Sequence, residues 1–300
     1  MRNRYLWMLL ALALIWGASF MFIKVAVREM APSTLILGRL GLAAITLALV
    51  VPFTVGTRRA IVQIRSNWSW LVVVALVNTA IPFWFLSWGE TRIDSGLASI
   101  IQASVPIFNA VIAYGFFHEV RVTGMRLVGV GIGFVGVALL VGAQPQGKVY
   151  GALAVVGMAF CYALGGLLIG RHLKPVAPIV VAFTSTAIAA AVALPAGVEQ
   201  APSHAPGWKV TASVIALGVP GTAIAYLLFF ALIVGPGAAY ASLVTYLIPP
   251  IALIYGAVFL GESITGIALG GLALVLVGVG LGTGALRPSR RLRRSVASEA

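Results

Sequence analysis

The chain alternates long apolar runs with short polar joints, and the same pattern is written twice. Ten apolar segments can be drawn, near 5–27, 33–53, 69–88, 95–117, 123–143, 149–169, 177–197, 210–232, 237–260 and 264–286. Each is about 18–24 residues, the length a helix needs to cross a hydrocarbon core roughly 30 Å thick. Sliding the sequence along itself until Thr79 lies on Thr222 also lays Ser99 on Ser242, Pro106 on Pro249 and Glu119 on Glu262. After a one-residue slip, Gly124 falls on Gly266, Gly129 on Gly271, Gly136 on Gly278 and Gly142 on Gly284. Each half therefore reads as five spans. Five is odd, so two halves that fold alike lie inverted in the bilayer. The expected fold is an all-α integral membrane protein with ten transmembrane helices arranged as two inverted five-helix repeats. The repeats occupy 1–145 and 146–286, and a basic cytoplasmic tail follows at 287–300. Inverted repeats are the architecture of secondary transporters, with the site near the midplane between the halves.

Composition removes the soluble alternative. Hydrophobic residues make up 61% of the chain and charged ones 9%, too few to cover a water-facing surface but suited to lipid as solvent. Cys161 is the single cysteine and lies inside an apolar run, which excludes an internal disulfide and argues against metal ligation. No cofactor is expected. The N-terminus mimics a secretory signal, with Arg2 and Arg4 before an apolar stretch. The run continues to Val27, however, which makes it an uncleaved first span.

A net charge of +13 raises nucleic acid as a partner, and the distribution of that charge argues against it. With the N-terminus inside, Arg2, Arg4, Arg58, Arg59, Arg65, Arg121, Arg126, Arg171, Lys174 and the tail arginines fall at cytoplasmic ends. Only Lys24, Arg28, Arg92, Lys148 and Lys209 fall outside, and Arg39 lies within a span. The bias places both termini in the cytoplasm of a multi-pass cell-membrane protein.

Glycines crowd the fifth and tenth spans, where Gly129/Gly133 and Gly278/Gly282 repeat at four-residue spacing for close helix packing. The run Gly131-Ile132-Gly133-Phe134-Val135-Gly136 matches a dinucleotide fingerprint by letter only, since no strand precedes it. Pro82, Pro106, Pro220, Pro249 and Pro250 sit inside spans, where each removes a backbone donor. Those spans either kink against a neighbouring helix or bend around a pathway, and the repeat-matched pair Pro106 and Pro249 favours the pathway.

Polar groups inside a membrane are candidates for function. Arg39 is the strongest, disfavoured there by roughly 2.5–3.5 kcal/mol on insertion scales. With Lys24 it is expected to give a positive approach for an anionic group. Trp16, Tyr226 and Tyr246 are candidate stacking surfaces, and Asn78, Ser99, Gln102, Ser242 and Thr245 candidate hydrogen-bonding groups. Ser99 with Gln102, and Ser242 with Thr245, share helix faces at three-residue spacing and match across the repeat. The seven acids and three histidines, among them His118 and Glu299, fall at helix ends, joints or the tail. A coupling proton therefore has Glu90, at a mouth, as its best candidate. Metalloprotease and hydrolase motifs, paired carboxylates and a P-loop are all missing from the sequence, which argues against an enzyme or a nucleotide-driven pump.

Trp16-Gly17-Ala18-Ser19-Phe20 with Lys24, Pro32 and Arg39 resembles the opening of EamA-type transporters of the drug/metabolite transporter superfamily. Ala98-Ser99-Ile100-Ile101 through Pro106 to Glu119, Thr123 and Gly124 is similar to the end of its repeat unit. A second copy runs from Ala241-Ser242 through Pro249 to Glu262, Thr265 and Gly266. The resemblance implies a ten-helix carrier that exports small metabolites, such as amino acids or toxic compounds, through a cavity open alternately to each side. The second half departs from the first: Gly170 stands where Lys24 does, and span seven lacks a counterpart of Arg39. The positive charge is one-sided. The alternative is a non-transporting polytopic protein, either a lipid-modifying enzyme or a scaffold. Expected partners are a small-molecule substrate and the bilayer, with a homodimer left open.

Overall fold

The structure is a computed structural model describing residues 2–115, 124–145 and 148–283. His118, Glu119, Arg121, Thr123, Gly284 and the tail 287–300, Glu299 included, lie outside the described residues. Among the described residues the chain is helical, without a strand. In order come α1 (Arg2–Ala26), α2 (Pro32–Thr54), α3 (Thr57–Ser66), α4 (Trp68–Ala75), α5 (Ile81–Glu90), α6 (Ser95–Gln102) and α7 (Val105–Gly115). Then follow α8 (Met125–Gly142), α9 (Val149–His172), α10 (Pro178–Glu199), α11 (Trp208–Gly218), α12 (Ala225–Val234), α13 (Ala238–Ala241), α14 (Val244–Leu260) and α15 (Gly266–Thr283). Eight stretches are long and apolar enough to cross a membrane, some formed by two of these helices in line; the apolar helices Val244–Leu260 and Gly266–Gly282 are shorter. The chain is an all-α integral membrane protein.

Proline chemistry explains the interruptions. A π-helical turn, Leu76–Ala80, joins α4 to α5 just ahead of Pro82, and a second, Val219–Ile224, joins α11 to α12 around Pro220. Each proline lacks an N–H for the α-helical ladder, and a wider turn lets the chain absorb the mismatch. Between α6 and α7 the helix opens at Ala103–Ser104, next to Pro106, and Ser104 Oγ donates to Ile101 O at 2.6 Å. The expected joint at 54–68 holds the ten-residue helix α3. Arg58, Arg59 and Arg65 face outward there while Ala60 is buried, the pattern of a helix lying along an interface. Gln63 of α3 accepts a hydrogen bond from Ala177 N (2.9 Å) at the start of α10.

Glycine decides how closely the long helices approach. α8 packs along α15. A Cβ added to Gly278 would sit 2.5 Å from Gly133 N and 2.6 Å from Gly133 Cα, so backbone meets backbone. Lipid gives helices no hydrophobic reason to associate, so such contact supplies the attraction. α2 lies on α10 in the same way. Thr34 Oγ1 donates to Gly197 O (3.0 Å), and Ser33 Oγ donates to Gln200 Oε1 (2.9 Å).

Glu262 fastens α14 to α6. Gly261 ends α14 in the left-handed conformation (φ 69°), and Glu262 N donates back to Gly256 O at 3.0 Å. The turn aims the carboxylate at the first N–H groups of α6. Oε1 accepts from Ser95 N (2.9 Å), and Oε2 accepts from Ser95 Oγ (2.8 Å) and Gly96 N (3.1 Å). An anion at a helix N-terminus is favoured by unpaired donors and by the helix dipole. Glu262→Ala is expected to cost about 2 kcal/mol of folded-state stability, a partly exposed fraction of what charge-assisted bonds give. Glu262→Gln, which can still accept, should lose less. Thermal unfolding of the detergent-solubilised variants checks this, and equal midpoints for all three proteins would refute it.

Candidate functional site

A cavity of about 310 Å³ lies where the two π turns and the α6–α7 break meet α1, α2, α9 and α14. That is the small end of the roughly 300–1,000 Å³ range of ligand pockets. Its charged wall residue is Arg39 of α2, only 7% exposed. Arg39 Nε donates to Thr222 Oγ1 at 3.1 Å, and Thr222 Oγ1 in turn donates to Leu217 O at 2.8 Å. The π turn around Pro220 carries Thr222, whose hydroxyl thus links the end of α11 to Arg39 of α2. The guanidinium plane lies 4.4 Å from the centre of the Phe83 ring, a cation–π contact that gains strength away from water. Arg39 is therefore held at one nitrogen and on one face and does not reach for the headgroups. Its two terminal nitrogens make no hydrogen bond to the described residues.

The other walls are aromatic and neutral polar. Trp16 of α1 packs against Phe229 of α12 with centroids 5.4 Å apart. Tyr226 lies one helical turn before Phe230 (6.0 Å), and Tyr162 comes from α9. Asn78, on the first π turn, rests against Gly165, where an added Cβ would lie 2.5 Å from Asn78 Cβ. The glycine thus makes room for the amide. Gln102 ends α6 at the cavity, and Thr245 enters from α14.

Of the residues singled out from sequence, Trp16, Arg39, Asn78, Gln102, Tyr226 and Thr245 share this cavity. Lys24, Ser99, Ser242, Tyr246 and Glu90 are not among its lining residues. Lys24 Nζ donates to Glu90 O and Ile93 O, both at 2.7 Å, holding the C-terminal end of α5. Ser99 is buried and donates to Gly96 O at 2.6 Å. Tyr246 packs on the main apolar core, and Ser242 is exposed at the joint between α13 and α14. Glu90 is fully buried, and neither carboxyl oxygen has a hydrogen-bond partner among the described residues. Sequence reasoning missed Phe83 and Phe229, apolar residues in apolar helices that carry no mark. It named Thr222 without its link to Arg39. Thr79, which the repeat lays on Thr222, is as buried, and its hydroxyl has no partner among the described residues. That asymmetry follows from the missing counterpart of Arg39.

The EamA-like transporter family model matches residues 3–142 and again 149–283. An uncharacterized transporter of Archaeoglobus fulgidus is 27% identical over 91% of this chain and 96% of its own length. A protein of Streptantibioticus cattleyicolor named Probable terminal-alkyne amino-acid exporter is 28% identical, covering 92% of each chain. A Probable amino-acid metabolite efflux pump of Salmonella typhimurium is 25% identical over 95% of this chain and 97% of its own. One crystal structure superposes with a TM-score of 0.68 over 96% of this chain and 100% of that chain; at 18% identity it speaks for the fold alone.

Proposed function

Because this chain belongs to the EamA-like transporter family and is a multi-pass membrane transporter rather than an enzyme, we propose that it is a two-repeat carrier. It moves small metabolites, such as amino acids or drug-like compounds, out of the cell by alternating access. The convergence of six sequence-selected residues from 1–145 and 146–286 on one cavity carries this reading. Two relatives whose names include amino-acid export or efflux point the same way. Family membership sets aside the lipid-modifying enzyme and the scaffold.

The ten-span, inverted arrangement has its own support. The two family matches divide the chain close to residue 145. The π turns at Leu76–Ala80 and Val219–Ile224 fall at repeat-matched positions. α2 packs on α10 and α8 on α15, each the repeat partner of the other, as a twofold axis in the membrane plane requires. In the proposed mechanism Arg39 and the neutral groups around it hold the solute, the aromatic walls cover its body, and rocking of the halves changes the side to which the cavity opens. Lys24 steadies the C-terminal end of α5 beside Glu90, while Ser99, Ser242 and Tyr246 serve the interrupted helices.

Cysteine labelling in a Cys161→Ala background tests the arrangement. With both termini cytoplasmic, Ser203→Cys reacts with an impermeant maleimide added outside intact cells. Ser66→Cys reacts only after permeabilisation. Labelling of both from the same side rules out inversion.

Glu90 is the proposed coupling group. A buried carboxyl without hydrogen-bond partners among the described residues is costly when charged, against the pull of Lys24 and Arg39, so its proton occupancy is tied to conformation. Glu90→Gln is expected to abolish the dependence of proteoliposome flux on a pH gradient while leaving downhill flux measurable. Full gradient dependence in the variant removes Glu90 from the mechanism.

A further inference from the structure

We infer that, among small metabolites of that kind, the preferred solute is an organic monocarboxylate with an aromatic or bulky apolar body rather than a zwitterion, an inference that rests on the transporter reading of the cavity. Among the described residues Arg39 is the charged residue of the wall, and no Asp, Glu or His lines it. Its Nε is taken by Thr222 and its face by Phe83, which leaves the terminal nitrogens as a fixed fork toward the cavity. A guanidinium fork matches the two oxygens of a carboxylate in geometry as well as charge. Glu90 acts on the Arg39 charge but does not line the cavity, and a bound monoanion brings a counter-charge to the fork itself. A phosphate monoester would bring a second negative charge that no other cationic wall residue meets. A cation would face Arg39 with no acid to receive it. A zwitterionic amino acid satisfies Arg39 but leaves its ammonium to neutral oxygens such as those of Asn78, Gln102 and Thr245. Elsewhere in the wall, Trp16 and Phe229 offer ring surface that fits an apolar body.

The test is calorimetric titration of the full-length protein in detergent with four compounds of one shape: 3-phenylpropionate, its primary amide, phenylalanine and phenethylamine. The carboxylate is expected to bind at least tenfold more tightly than the amide and phenylalanine, and the amine to give no heat. In Arg39→Gln the preference for the carboxylate over the amide should fall to about one. In Arg39→Lys, which keeps a charge without a fork, some of the preference should remain. The inference is overturned if phenylalanine or the amine binds as tightly as the carboxylate, or if the preference survives Arg39→Gln. It is equally overturned if folded wild-type protein, monodisperse on gel filtration, binds none of the four. Tight phenylalanine binding with phenylalanine flux in vesicles would remove the monocarboxylate and leave the transporter reading standing. Carboxylate binding without flux of any of the four would do the reverse.

Discussion

Gly278→Leu is expected to abolish recovery of monodisperse protein. The Cβ that leucine introduces lies 2.5 Å from Gly133 N and 2.6 Å from Gly133 Cα, and its neighbours are backbone with no rotamer to change. Overpacking usually costs about 1–3 kcal/mol because side chains and backbone can shift a little. Relief here would require α8 and α15 to separate along their length. In lipid, where close contact rather than water exclusion holds helices together, separation removes the attraction itself. Gly270→Leu is the matched control: it lies on the same helix, with nothing within 4 Å of an added Cβ. Fluorescence-detected gel filtration of tagged variants should show wild-type recovery for Gly270→Leu and aggregate or no peak for Gly278→Leu. If the two variants elute alike, close packing of α8 and α15 is not what holds that pair.

Arg39→Gln is expected to cut counterflow of 3-phenylpropionate in proteoliposomes by roughly 30-fold or more. Removing one member of a buried charge pair costs about 2–5 kcal/mol, and each 1.4 kcal/mol is about tenfold. The fold should survive the change. Glutamine retains a donor for Thr222, and the lost contact with Phe83 is offset by removing the cost of a buried charge. The unfolding midpoint in detergent should therefore stay within a few degrees of wild type. Loss of the folded protein in parallel with flux would make Arg39 structural. Arg39→Lys should fall between the two, since an ammonium supplies charge without the planar fork.

The amino-acid sequence announced the large features for plain reasons. Twenty apolar residues in a row can be read without neighbours, and Arg39, Asn78 and Gln102 stand out because their surroundings are greasy. Positions that depend on partners distant in sequence were harder to see. Glu262 looked like an ordinary loop acid, and only its meeting with Ser95 and Gly96 gives it a purpose. Lys24 looked like half of a positive vestibule, yet its ammonium is taken by the carbonyls of Glu90 and Ile93. Phe83 and Phe229 could not be told from lipid-facing phenylalanines, since one-dimensional hydropathy does not say which way a helix faces. The helix openings also escaped exact placement. Proline marks the stretch that must yield, but the gaps at Ala103–Ser104 and at Ser242–Leu243 end two and six residues ahead of Pro106 and Pro249.

The position of Trp16 gives the protein its own optical reporter. Of the seven tryptophans, Trp16 stands in the cavity wall, while Trp7, Trp68, Trp84 and Trp208 are exposed on the outer surface, Trp70 stacks on His172, and Trp88 lies under Arg92. With the other six changed to phenylalanine, emission from a single indole would register each arrival and departure of cargo, without an attached dye.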